Sequence, residues 1–336
     1  MTTLLPELPP VTEPQREAII DSPRTSAAHR DLLAALPAMN AIQIGGRASG
    51  QRLDDTVSVA AWNLERCLFP QDSAGLLAGL APDVVLLSEV DHGMARTGQR
   101  HTTEEVAEAL GMAYAFGVEF YEMGLGSPTE RAFCTDRANA LGWHGNAILA
   151  RVPFQRLAIV RLDDHGHWFA SDELDADATQ PRVGGRMVLL AVLETEGGPL
   201  CVASTHLESN AGADHRTGQF DLLLDAVDRF APDVPVLIGG DLNTGNHMPP
   251  DYDWRGEALF DQAVARGYDW GFTPEGDTTR PSLITPHPSR KMKLDWICGR
   301  GMSCEDTALI PALSPQGRPL SDHDPVWCRA ALQKRA

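Results

Sequence analysis

A chain of 336 residues is ample for a sizeable core, and 43% hydrophobic with 22% charged residues is the balance of a water-soluble globular protein. A formal net charge of −18, with Lys only at 291, 293 and 334, argues against a nucleic-acid binder, which needs a basic stripe to neutralise phosphates. No apolar run approaches the ~20 residues that span a membrane, and residues 1–10 lack the basic and apolar regions of a signal peptide, so a cytoplasmic location is expected. The cysteines at 67, 134, 201, 298, 304 and 328 form no CxxC pair and read as reduced thiols rather than disulfides or a zinc site.

In chain order, residues 1–22 are rich in Pro and acids and read as extended surface. Ser26–Ala38 has Leu32, Leu33 and Leu36 at helical spacing, and residues 44–55 read as a loop. This predicts an N-terminal extension over 1–55 with one helix, then one domain over 56–336 with no linker, repeat or low-complexity tract. In that domain Val57–Trp62 is a strand running into Asn63-Leu64-Glu65-Arg66, and Ser73–Leu80 a short helix. The wholly apolar Val84–Leu87 reads as a buried strand that ends in Ser88-Glu89. Thr102 and Glu105 fit a capping box for a helix over 103–110. Further strands are expected at 114–120, 145–150 and 155–161, with a long loop over 121–144. An acid-rich loop over 162–185 precedes a hairpin, 187–193 and 200–204, turning at Gly197-Gly198. Gln219–Phe230 is a strong helix, Val234–Ile238 a buried strand, and 257–266 a helix. Strands at 293–298 and 325–331 close the pattern.

Polar groups fall where packing gives no reason for them. Asn63 and Glu65, Glu89, His206, Asp241 and Asn243, and Asp295 lie at strand ends, with Asp322-His323 just ahead of the last strand. An unpaired buried charge is costly, so one such residue reads as a turn, whereas the repetition reads as a site on a rigid frame. Carboxylates and amide oxygens without Cys are hard donors that suit Mg²⁺ or Mn²⁺. With two imidazoles beside them, and neither a Walker loop nor a nucleophile elbow, the chemistry indicated is phosphoester hydrolysis by metal-activated water.

Trp62-Asn63-Leu64-Glu65, Ser88-Glu89, Gly145-Asn146-Ala147-Ile148-Leu149, Thr205-His206-Leu207, Gly240-Asp241-Leu242-Asn243, Leu294-Asp295-Trp296 and Ser321-Asp322-His323 resemble, in order, the motifs of the endonuclease/exonuclease/phosphatase (deoxyribonuclease-I-like) superfamily. The resemblance covers about residues 56–331. It implies a four-layer α/β/β/α sandwich of two mixed β-sheets. It also implies that Glu89 is the principal metal ligand, with Asn63, Glu65 and Asp322 binding or surrounding the metal. Asp241 matches the aspartate that activates water or holds a second metal, and Asn243 the phosphate-orienting asparagine. His323 matches the histidine facing the phosphate, Asp295 its partner, and His206 the second histidine; base and acid roles are shared among them. Ser88 stands where many members carry Gln, and Glu65 where several carry Asp.

Outside the motifs, Arg182 and Arg186 flank Gly184-Gly185 and suit either a bidentate phosphate clamp or surface salt bridges. Asn146 suits either substrate contact or a turn cap. Asp91 and His92 read as loop residues, and His144, His165 and His167 as solvated. Tyr121 and Trp168 read as loop anchors. The acidic, Lys-poor chain favours a small-molecule or lipid-headgroup phosphoester over nucleic acid, and a catalytic protein over a scaffold, since no site residue is missing.

Overall fold

The computed structural model describes residues 2–170, 182–286 and 291–333. Lys334 and the middle of the acid-rich loop, 171–181, lie outside the described residues. In order the elements begin with β1 (Thr3–Leu5), α1 (Glu13–Asp21), α2 (Ser26–Ala35), β2 (Ala41–Gly46), β3 (Thr56–Arg66) and α3 (Pro70–Leu80). They continue with β4 (Val84–His92), α4 (Thr102–Leu110), β5 (Ala113–Glu122), α5 (Pro128–Arg131), β6 (Trp143–Ala150), β7 (Arg156–Arg161) and β8 (Arg182–Gly184). Then come β9 (Met187–Thr195), β10 (Gly198–His206), α6 (Ala213–Phe230), β11 (Val236–Asp241) and α7 (Leu259–Ala265). The last are β12 (Asp295–Arg300), β13 (Met302–Leu309) and β14 (Val326–Leu332).

Nine strands form one mixed sheet in the order β1-β2-β5-β6-β4-β3-β14-β13, with β8 added to β5, and five form a second, β12-β11-β10-β9-β7. The layers follow from the two-residue period of a strand. Val57, Val59 and Ala61 of β3 join Leu200 and Val202 of β10 in the core between the sheets. Their neighbours Ala60, Trp62 and Leu64 turn outward onto Ile19, Leu33, Leu77 and Val106 of the helices α1 to α4. On the far side, Cys201 and Ala203 of β10 meet Leu223, Leu224, Leu259 and Ala263 of α6 and α7. Both faces of the central strands are therefore dry, which is why their sequences are continuously apolar. This is the four-layer sandwich expected.

The N-terminal region differs from expectation. Residues 13–21 are helical, with the Thr12 backbone N–H donating to Gln15 Oε1 at 2.9 Å and Ile19 fully buried. Two helices, not one, precede residue 56, and β2 pairs antiparallel with β5, Ile42 opposite Gly117. The sheet thus runs across position 55 without a break. Strand β13 was also not expected; it alternates weakly because one face is open to solvent. The 121–144 loop is shorter than read, since β5 runs to Glu122, α5 occupies 128–131 and β6 begins at Trp143.

Candidate active site

The strand ends that carry polar groups converge. In the second sheet, His206, Asp241 and Asp295 lie side by side across β10, β11 and β12. In the first, β3 and β4 run parallel, and both slip register at their C-terminal ends, after Asn63 and after Leu87. Within those slips Glu65, Arg66 and Cys67 have φ of 43°, 76° and 59°, and Glu89 has φ of 55°. Such left-handed non-glycine residues are strained, and bulges re-aim side chains, so Glu65 and Glu89 turn out of the sheet at the cleft.

The Ser321-Asp322-His323 turn is fastened to β3. Ser321 Oγ donates to the Asn63 carbonyl at 2.6 Å and accepts from His323 N at 3.0 Å, while Trp62 Nε1 donates to the His323 carbonyl at 2.8 Å. Asp324 serves this turn, its carboxylate accepting from Ala312 N and Arg280. His323 Nδ1 lies 2.7 Å from Asp295 Oδ2, and Thr278 Oγ1 steadies the Asp295 backbone N–H at 3.2 Å. Burial works against a cationic His323, but Asp295, Asp322 and Asp241 outweigh it and hold the imidazole well above its ordinary value.

Asp241 occupies the centre. Its Oδ2 accepts from Asn63 Nδ2 at 2.9 Å and its Oδ1 from Asn243 N at 2.8 Å. The same Oδ2 is 3.6 Å from His206 Nε2 and 3.7 Å from His323 Nε2. The Asn243 side chain bridges the Leu207 carbonyl (3.1 Å) and Asn246 Nδ2 (2.8 Å). Glu65 is held by Ser282 Oγ at 2.6 Å and is pushed up to about 7, first by burial and then by the charge of Asp322. Glu89 is ion-paired with Arg66, and its Oε1 is 4.0 Å from His206 Nε2.

The donors fit a divalent cation. Burial and the negative Asp322 both disfavour a charged Glu65, a repulsion that a cation between them would relieve. Asp241, Asp295 and His323 also present ligand atoms that all lie within 4.8 Å of one another, and carboxylates with no thiolate in this group are hard donors. Glu65, Glu89 and Asp322 would hold such an ion, with Asn63 tying the Glu65 backbone N–H (3.0 Å) to Asp241.

Two hollows share Glu89, His206, Ser209 and Thr285: one of 350 Å³ also bounded by Asp241, Asn243, Asp322 and His323, and one of 440 Å³ bounded by Arg66, Phe120, Trp168 and Arg182. Arg182 lies in the second, 3.4 Å from Glu122 and over the Trp168 ring. Arg186 borders it too, but all five of its N–H groups have partners within the protein. Asn146 is fully buried with Nδ2 against Met187 Sδ, and it borders neither hollow. Tyr121 is a core residue.

Several residues at the site carry no family motif. Arg66 and Glu130 flank Glu89, and Arg96 beneath them binds Asp91, Glu122 and Glu130 with full burial. Asp91 and His144, read as loop and solvent residues, are buried 2.8 Å apart in β4 and β6, and His167 is buried with Nε2 2.9 Å from the Asn210 carbonyl. The available signal was Glu119 and Glu122 standing inside an otherwise apolar strand.

The chain belongs to the Endonuclease/Exonuclease/phosphatase family, whose family model matches residues 60–323. Members of that family are generally hydrolases of phosphoesters and typically use divalent metals. Among solved structures, an endonuclease/exonuclease/phosphatase from Beutenbergia cavernae DSM 12333 is similar, at 19% identity over 83% of this chain and 72% of that one, with a TM-score of 0.59. The human Nocturnin catalytic domain with bound sulfate is similar at 17% identity over 87% of this chain and 97% of that one, TM-score 0.55. D. rerio TDP2 complexed with single strand DNA product is similar at 19% identity over 82% of this chain and 99% of that one, TM-score 0.53. A comparison with curated proteins finds no match.

Proposed function

We propose that this protein is a divalent-metal-dependent phosphoesterase acting on a small or lipid-derived phosphodiester or phosphomonoester. The observation that carries the reading is Asp241 Oδ2 standing 3.6 and 3.7 Å from the Nε2 atoms of His206 and His323, beside the Glu65, Glu89 and Asp322 carboxylates. Mg²⁺ or Mn²⁺ held by those three acids supplies charge neutralisation at the phosphate and a more acidic water. Asp241, fixed by Asn63 and Asn243, orients the attacking water and takes its proton. The water oxygen bonds to phosphorus as the ester P–O bond breaks in line. His323, kept cationic by Asp295, gives its Nε2 proton to the departing oxygen. The net charge of −18 and the size of the hollows, 350 and 440 Å³, favour a compact substrate over a nucleic-acid strand.

Hydrolysis of bis-p-nitrophenyl phosphate tests the reaction. It should require Mg²⁺ or Mn²⁺, and full activity in excess EDTA would sink the mechanism. The second reading is a nuclease, favoured by Arg66 and Arg182 on one wall of the cleft. Single-stranded and plasmid DNA should be cut poorly; efficient cutting that weakens steeply with salt would favour the nuclease.

A further inference from the structure

We infer that Arg186 is a positioning residue that keeps the proton of His206 on Nε2, so that His206 meets the substrate as a hydrogen-bond donor and leaves proton transfer to His323. This rests on reading the cleft as a phosphoesterase site.

Arg186 follows Gly184-Gly185 and opens strand β9 next to the end of β10, where His206 sits. Its guanidinium is almost wholly buried. Nε donates to Glu208 Oε2 at 3.1 Å, and Nη2 to Glu208 Oε1 at 3.4 Å and to Ser209 Oγ at 3.2 Å. Nη1 reaches Glu119 Oε1 at 3.2 Å and His206 Nδ1 at 2.9 Å. A guanidinium has donors and no acceptor. At 2.9 Å from Nη1, His206 Nδ1 must therefore present its lone pair, and the ring proton belongs on Nε2. A second acid competes for the same nitrogen and loses. Glu119 Oε2 is 3.5 Å from Nδ1, beyond a good hydrogen bond, and that oxygen is buried with no hydrogen-bond partner. Had Nδ1 carried a proton, Glu119 Oε2 would have been its acceptor.

His206 Nε2–H then faces the space bounded by Asp241 Oδ2 at 3.6 Å and Glu89 Oε1 at 4.0 Å. His323 is built the opposite way. Its Nδ1 contacts Asp295 Oδ2 at 2.7 Å, a carboxylate oxygen that accepts, so Nδ1 is the protonated nitrogen and Nε2 is the one that exchanges a proton. Opposite partners behind the two rings give opposite duties in front: His206 stabilises charge on a phosphoryl oxygen, and His323 moves the proton.

The test is a long-range proton–nitrogen correlation spectrum of the full chain labelled with ¹⁵N, with His206 assigned by its loss in His206→Gln. A bare Nδ1 and a protonated Nε2 are expected; a protonated Nδ1 overturns the inference whether or not any variant folds. Arg186→Lys keeps a positive charge against Glu119 and Glu208 but loses the fork. It should lower kcat by about 10–100-fold, leave KM within about twofold, and broaden or shift the His206 Nδ1 signal. An unchanged kcat and an unchanged Nδ1 signal in that variant would also overturn it. If the chain hydrolyses no phosphoester, the function reading fails while the spectrum still decides the His206 proton. If it hydrolyses one with Nδ1 protonated, only the role of Arg186 fails.

Discussion

Asn63 Nδ2 donates to Asp241 Oδ2 at 2.9 Å, joining β3 of one sheet to β11 of the other beneath the cleft. Both residues are buried, and the Asn63 carbonyl oxygen accepts the Glu65 backbone N–H at 3.0 Å. One amide thus aims Asp241 and shapes the bulge that carries Glu65. Asn63→Ala should lower kcat by about 10–100-fold and stability by about 1–3 kcal/mol, because Asp241 loses a buried donor. Turnover and a denaturant midpoint measure the two; wild-type values in both would remove Asn63 from the site.

His323→Ala should lose at least ~10²-fold in kcat if His323 gives a proton to the leaving oxygen. Asp295→Asn tests the direction of the pH effect. The carboxylates hold His323 well above its ordinary value against burial, so removing one charge lowers it. The cationic form is then lost at lower pH, and the high-pH limb of kcat/KM should move down. A limb that stays in place would separate Asp295 from His323.

Acid should unfold the protein through its buried ion pairs. Glu119 and Glu208 are opposed by burial, but Arg186 outweighs it and holds each at about 2; Glu130 is likewise at about 2 beside Arg66 and Arg96. Folded values below the unfolded carboxylate value of about 4.5 mean stability that is complete above that pH and is lost as pH falls from 4.5 toward 2. The melting temperature should fall steeply across that window, and a flat profile down to pH 2.5 or so would contradict the pairing.

Gly240 has φ of 150°, and a Cβ there would lie 1.9 Å from the Thr205 carbonyl oxygen of the neighbouring parallel strand. Backbone cannot step aside without opening the β10–β11 ladder that aligns His206 with Asp241. Gly240→Ala should cost roughly 3 kcal/mol or more. A midpoint of denaturation equal to wild type would show that the ladder gives way easily.

The core strands were legible because both faces are apolar: Val84–Leu87 and the 234–238 run could hardly be anything else. Strands β2 and β13 escaped because short edge-region segments take their stability from a neighbour already in place. Helix α1 was hidden by the prolines and acids of residues 1–22, which also suit an exposed chain, and only its packing of Ile19 distinguishes it.

By itself the sequence determined the layered sheets and the residue types gathered at their ends, since hydrophobic period and ligand chemistry are local properties. Only the tertiary structure decided which group faces which. Arg186, 20 residues before His206 and 67 after Glu119, meets both because adjacent strands and opposed sheets bring distant positions together. The same holds for Arg66 on Glu89, for Ser282 on Glu65, and for Asn146, whose motif suggested the cleft and whose side chain faces Met187 inside the sandwich. A hydrogen bond depends on angstrom-scale placement, and that placement is set by the packing of the whole sandwich rather than by neighbours in the chain.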